Sequence, residues 1–223
     1  MNTSFIKLLY GWPKPYIRDQ DLATIFFMDD KRRYDTVKYA MKKGLLSQIR
    51  RGLYLIQRPY QKMHHDEFEI AQAIYGPSYI SLESALSYHG WIPEKVNACT
   101  SSTVKRSKEF ITDIANFTYS HTPLKSFMIQ VRRVETSDST FLIAEPWKAV
   151  ADHIYVRNRS WGSLADMISD MRIDEDSLLE TDVRQLENLS TSYASVKVRK
   201  LLAKFYIEIL NGHKGNRRQN FSI

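Results

Sequence analysis

The chain has 223 residues, 43% hydrophobic, 26% charged and 12% aromatic, with 8 Gly, 7 Pro and the single cysteine Cys99, which excludes collagen-like, disordered and disulfide-framework chains. It contains no run of about 18 apolar residues and does not open on a basic stretch leading into an apolar one, so neither a membrane span nor a secretory signal is expected. Net charge is +7, and residues 1–62 hold 13 Lys/Arg against 5 Asp/Glu while residues 63–223 hold 19 against 20, so the whole positive excess lies at the N-terminal end.

Residues 3–10 read as a helix with Phe5, Ile6, Leu8 and Leu9 on its apolar side, broken by Gly11, Pro13 and Pro15. A second helix fits 19–27, capped by Asp19 or Asp21, with Leu22, Ile25 and Phe26 at i, i+3, i+4. After the polar turn Met28-Asp29-Asp30 a third helix is predicted from Lys31 to Lys43, packing through Tyr34, Val37 and Met41 and ending on Gly44 as a left-handed cap. The period then changes from 3.6 to 2. Leu45–Ile49 and Leu53–Ile56 read as strands joined by the turn Arg50-Arg51-Gly52. Three helices and a hairpin within about 60 residues is the order of a winged helix-turn-helix. The aromatic residues Trp12, Tyr16, Phe26 and Phe27 are read as its core.

Further along, residues 64–75 read as a helix, Tyr79–Ser81 as a short strand and 82–89 as a helix closed by Gly90. Strands are expected at 95–100, 115–120 and 126–134, and a strand running through Pro146 into a helix over 142–158. Acidic helices follow at 163–169 and 176–189, then a final helix from Ser192 to Leu210, with residues 211–223 as a frayed basic tail. The predicted organisation is α+β: a winged-helix domain over 1–62, a small mixed α/β domain over 63–210 with a helical C-terminal region, and the tail.

The third helix carries the strongest chemical signal. Its first turn, Lys31-Arg32-Arg33-Tyr34, places three cations where the helix dipole disfavours them. An adjacent DNA phosphate accounts for them. Helices of this type enter the major groove with their N-terminal residues against base edges, and Arg suits guanine O6 and N7. Arg32 and Arg33 are therefore the candidate base readers. Lys31, Lys38 and Lys42 suit phosphates, and Thr36 suits either. Arg50 and Arg51 at the hairpin tip suit an adjacent phosphate or minor groove. With Tyr34, these nine residues form the predicted DNA-binding set. A solvated basic helix face is the competing reading.

Two blocks carry a resemblance. Lys43-Gly44-Leu45-Leu46 followed by Ile49-Arg50-Arg51-Gly52-Leu53-Tyr54 is similar to the winged-helix end of AbiEi-type antitoxins. The stretch from Tyr79-Ile80-Ser81-Leu82-Glu83-Ser84 to Tyr88-His89-Gly90 resembles the family's strand-then-helix signature, followed by Pro93, Val96 and Thr100; Ala144–Asp152 is a weaker match. The resemblance spans roughly residues 16–155. It implies an N-terminal DNA-binding domain, repression of the protein's own promoter, and neutralisation of a nucleotidyltransferase-like toxin encoded beside it in a system of phage defence. The expected partners are thus double-stranded DNA and that toxin, with a homodimer if the operator is palindromic. A regulator without a toxin is the alternative.

Enzymatic readings are weaker. Ser84, His89 and Asp152 as a hydrolase triad lack the Gly-x-Ser-x-Gly elbow, and His89 reads more simply as a cation at a helix C-terminus. His64-His65-Asp66-Glu67 lacks metal-ligand spacing and reads as a helix start. Glu145 with Lys148 and Asp152 is the nearest approach to a metal-dependent nuclease, but Glu145-Pro146 reads as a helix start with Pro at its first position. Cys99 reads as a small buried hydrophobe. No catalytic residue, metal or cofactor is expected, and the localisation expected is cytoplasmic. Lys197, Arg199, Lys200 and Lys204, with Arg217 and Arg218, suggest a second basic surface or a solvated face.

Overall fold

The structure is a computed structural model that describes residues 3–60, 65–93 and 97–219, excepting the side chains of 3, 4, 26, 179 and 213–219. Its elements are α-helices and two sheets. The first unit comprises α1 (Thr3–Gly11), β1 (Tyr16–Arg18), α2 (Asp19–Phe26), α3 (Asp30–Lys42), β2 (Leu46–Arg50) and β3 (Leu53–Ile56). β1 and β2 both pair antiparallel with β3, giving the order β1-β3-β2. The strand β1 has no counterpart in the sequence reading, because three residues are too few for a period-2 pattern to show.

Local chemistry explains these boundaries. The α3 N-cap is Asp29, whose carboxylate accepts the Arg32 N–H at 2.8 Å. Gly44, with φ +67°, ends the helix as predicted: its N–H donates to the Met41 carbonyl, and the Leu45 N–H donates to the Ala40 carbonyl. Gly52, with φ +76°, makes the hairpin turn, and the Arg50↔Leu53 pairing leaves Arg51 and Gly52 as the loop. Neither Asp19 nor Asp21 caps α2. Arg18 holds that position, and its N–H donates to Asp21 Oδ2 at 2.8 Å.

The small sheet is buried on both faces. Ile17, Leu46, Tyr54 and Ile56 join Phe5, Leu9, Leu22, Val37 and Ala40 in a first core. Their neighbours in strand alternation, Tyr16, Leu53 and Leu55, with Ile49, join the large core of the rest of the chain. Lys14 Nζ lies 2.6 Å from the buried carboxylate of Glu69, across the same seam. The aromatic set is therefore divided: Trp12 packs on the first core, Tyr16 belongs to the second, and Phe27 is 92% exposed with φ 47°. Tyr34 is also exposed, at 65%, so α3 packs through Val37 and Ala40 rather than through Tyr34.

The second unit is built on a six-stranded sheet of order β6-β7-β5-β4-β9-β8, formed by β4 (Ser78–Ile80), β5 (Ala98–Thr103), β6 (Lys108–Ile111), β7 (Asn116–His121), β8 (Val131–Glu135) and β9 (Thr140–Ala144). It is mixed: β5 runs parallel to β7, and β4 parallel to β9. Thr100, Ser101 and Ser102 lie within β5 rather than beyond a strand at 95–100, whose first part, including Val96, falls outside the described residues. A 3₁₀ turn, Leu124–Ser126, and β8 replace the single strand expected at 126–134, and β6 was not anticipated.

α4 (Glu67–Ile74) covers one face of this sheet, where the Tyr119 hydroxyl donates to the Ala71 carbonyl. α5 (Leu82–Tyr88) and α6 (Pro146–Arg157) cover the other. α6 starts with Pro146 after the N-cap Glu145, as expected. Outside it lie α7 (Leu164–Met171), α8 (Glu175–Leu179), α9 (Val183–Ser192) and α10 (Val196–Gln219). α8 and α9 replace the single helix expected at 176–189, and α10 continues to Gln219 rather than ending at Leu210. Among the described residues no helix is long and apolar enough to cross a membrane.

Candidate nucleic-acid interface

At 100° per residue, Val37 and Ala40 turn the opposite side of α3 to solvent. Lys31, Tyr34, Lys38 and Lys42 form one stripe there, and Arg32, Tyr39 and Lys43 a second. Lys31, Arg32, Lys38 and Lys42 are exposed, and none has an ion-pair partner among the described residues. The Lys38 ammonium lies 5.9 Å from the centroid of the Tyr34 ring. Between α3 and the hairpin runs a groove of about 570 Å³, with Tyr34 and Lys38 on one wall and Gln48, Arg51 and Gly52 on the other.

Three members of the predicted set stand apart from this face. Arg33 is 16% exposed at its side chain and is held by Asp19 at 3.0 Å and Asp30 at 2.6 Å. Its position in the first turn is thus explained by carboxylates of the same unit. Thr36 donates its hydroxyl to the Arg32 carbonyl at 2.8 Å, an internal helix bond. Arg50 is half-buried, and its guanidinium donates to the Arg51 carbonyl at 3.0 Å. A β-bulge after Gln48 accompanies this placement, while Arg51 remains exposed at the tip. No sequence signal separates Arg50 from Arg51, because the bulge and the packing of the second sheet face decide it.

Of the residues weighed for catalysis, Lys148 and Asp152 are brought together, whereas Ser84, His89 and Glu145 each have other partners. The Ser84 hydroxyl accepts from the Thr100 N–H and donates to the Ala98 carbonyl. His89 Nε2 lies 2.9 Å from the Ala144 carbonyl oxygen. Burial lowers the His89 pKa, against the opposing effect of the Ala144 carbonyl and Glu145, which disfavours a charged ring at the end of α5. Glu145 pairs with Arg132 at 2.9 Å. Lys148 and Asp152, one helical turn on, are fully buried and paired at 2.5 Å. His64 lies outside the described residues, and Asp66 caps α4 by accepting the Phe68 N–H.

The Asp152 carboxylate is saturated. Oδ2 accepts from the hydroxyls of Tyr79 (2.7 Å), Ser81 (2.8 Å) and Ser102 (3.2 Å), and Oδ1 accepts from Lys148 and from the Tyr193 hydroxyl at 2.9 Å. Lys148 also donates to the Tyr79 hydroxyl at 2.8 Å. Burial lowers the Lys148 pKa against the pull of Asp152, and burial together with Asp152 raises those of Tyr79 and Tyr193. This cluster joins β4, β5, α6 and the residue that ends α9, and all six of its side chains are buried.

The open, cation-bearing surface of the first unit is therefore the candidate site, composed of Lys31, Arg32, Tyr34, Lys38, Lys42 and Arg51. A scan of the chain against protein-family models finds no match, and no curated protein matches it.

Proposed function

We propose that the winged helix-turn-helix expected over residues 1–62 binds double-stranded DNA through α3 and the Arg51 turn, and that the protein represses its own operon as the antitoxin of a toxin–antitoxin system. The observation that carries the DNA-binding reading is the set of exposed cations on α3, Lys31, Arg32, Lys38 and Lys42, free of carboxylate partners among the described residues and facing solvent beside a hairpin. The order α1-β1-α2-α3-β2-β3, with a three-stranded antiparallel sheet behind α3, supports the winged form. Unpaired cations stacked along one helix repel one another, and a phosphate backbone relieves that repulsion. Arg32 is the base reader in this proposal, Lys31, Lys38 and Lys42 contact phosphates, and Arg51 reaches the flanking backbone. The antitoxin role rests on the resemblance of the two sequence blocks to AbiEi-type antitoxins, with a nucleotidyltransferase-like toxin as the partner.

The test is fluorescence anisotropy with the DNA upstream of the gene against a scrambled duplex, over a salt series. The expected result is tight binding, strong preference for the upstream DNA and a steep salt slope. Equal binding to both duplexes would reduce the surface to a basic patch. Co-expression with an adjacent nucleotidyltransferase gene tests the second half: unrelieved toxicity would leave a stand-alone regulator.

A further inference from the structure

Arg33 stands in the first turn of α3 beside the free cations, yet its guanidinium is engaged on three sides. Nε lies 3.0 Å from Asp19 Oδ2, one terminal nitrogen 2.6 Å from Asp30 Oδ1, and the other donates to the Met28 carbonyl at 3.2 Å. These partners belong to the start of α2, the α2–α3 turn and the start of α3. Asp19 extends the link to the hairpin, because its N–H donates to the Gly52 carbonyl at 3.0 Å. One guanidinium thus ties the start of α2 to the α2–α3 turn and α3, and through Asp19 to the hairpin turn at Gly52.

The electrostatics point the same way. Asp19 and Asp30 both line the groove, and the Asp30 side chain is 96% exposed. Without Arg33, two carboxylates with no compensating cation would face any phosphate entering there. To bond a base edge, Arg33 would have to leave charge-assisted partners it already holds, with little net gain.

The geometry points to Arg33 as a positioning residue: it neutralises the Asp19 and Asp30 carboxylates on the DNA-facing surface and, through Asp19, holds α2, α3 and the Arg51-Gly52 turn in one arrangement. This rests on the DNA-binding reading above, and it leaves sequence discrimination to Arg32.

Anisotropy with the full chain on upstream and scrambled duplexes separates the roles. Arg33→Ala lowers affinity for both duplexes by a similar factor, roughly 10-fold, and leaves their ratio within about two-fold of the parent, because carboxylate–phosphate repulsion is blind to sequence. Arg33→Lys recovers most of the loss. Arg33→Ala combined with Asp19→Asn and Asp30→Asn returns both affinities to within about three-fold of the parent, since the two carboxylate charges are gone. A collapse of the preference in Arg33→Ala, recovered neither by Lys nor by the two Asn substitutions, overturns the inference and makes Arg33 a base reader. If Arg33→Ala does not fold, Arg33→Lys and the triple variant carry the same comparison. A parent protein without preference for upstream DNA overturns the DNA reading itself, and is told apart because it needs no variant.

Discussion

Lys148 and Asp152 stand one turn apart on α6, paired at 2.5 Å with both side chains fully buried. Four further hydroxyls complete the cage, so the pair is compensated inside the core. Removing one partner strands the other. Asp152→Ala and Lys148→Met are each expected to destabilise the protein by about 3–5 kcal/mol in denaturant titration. The double variant Lys148→Met/Asp152→Leu should cost less than either single one, because no unpaired charge remains. A double variant worse than both would mean that the ion pair together with the four hydroxyls it anchors adds net stability.

On α3 the expected effects differ by residue. Arg32→Ala should cost about 1–3 kcal/mol on upstream DNA and reduce the preference over scrambled DNA. Lys38→Ala and Lys42→Ala should weaken both duplexes alike and each lower the salt slope by about 1. Anisotropy titrations at several salt concentrations check both.

The Glu83 carboxyl is set by opposing effects. Burial alone would raise its pKa, but the hydrogen bond from His153, its own backbone N–H and the charges of His153 and Arg157 outweigh burial and hold it at about 2. Arg157 lies 3.3 Å away and His153 Nε2 3.4 Å away. Because the folded value lies below the ordinary 4.5, the unfolded chain binds the proton first as pH falls. The stabilisation is complete above about 4.5 and is lost as pH falls towards 2. Urea titrations at pH 5 and pH 2 should show the parent losing about 2–3 kcal/mol more than Glu83→Gln over that window.

Phe27 combines a left-handed backbone (φ 47°) with 92% exposure, so its ring returns little burial for the strain. Phe27→Gly should therefore raise the melting temperature, by an amount equivalent to about 1 kcal/mol or less. A lower melting temperature would reveal a packing role for the ring.

Cys99 is buried, and burial, with the nearby Glu67 and Asp66 charges, pushes its thiol well above the usual range. Native protein at pH 8 should react with a thiol reagent only on the timescale of unfolding, and denatured protein at once.

Much of the first unit was legible from residues close in sequence. Gly44, Gly52 and Pro146 each act within a few residues of their own position, through a left-handed backbone or a missing N–H, so their punctuation survives in any fold. The exposure of Lys31, Arg32, Lys38 and Lys42 follows from the same local period, since Val37 and Ala40 set the buried side of α3. What tertiary structure decided involves partners distant along the chain. Arg33 meets Asp19 across 14 residues, and Asp152 meets Tyr79 across 73. The second face of the small sheet is buried because the rest of the chain packs on it, which also leaves Arg50 half-buried and Arg51 exposed. A local pattern reports which side of an element is apolar. It carries no information on which distant carboxylate a given arginine will meet, and that pairing separates a free cation from a neutralised one on the same helix.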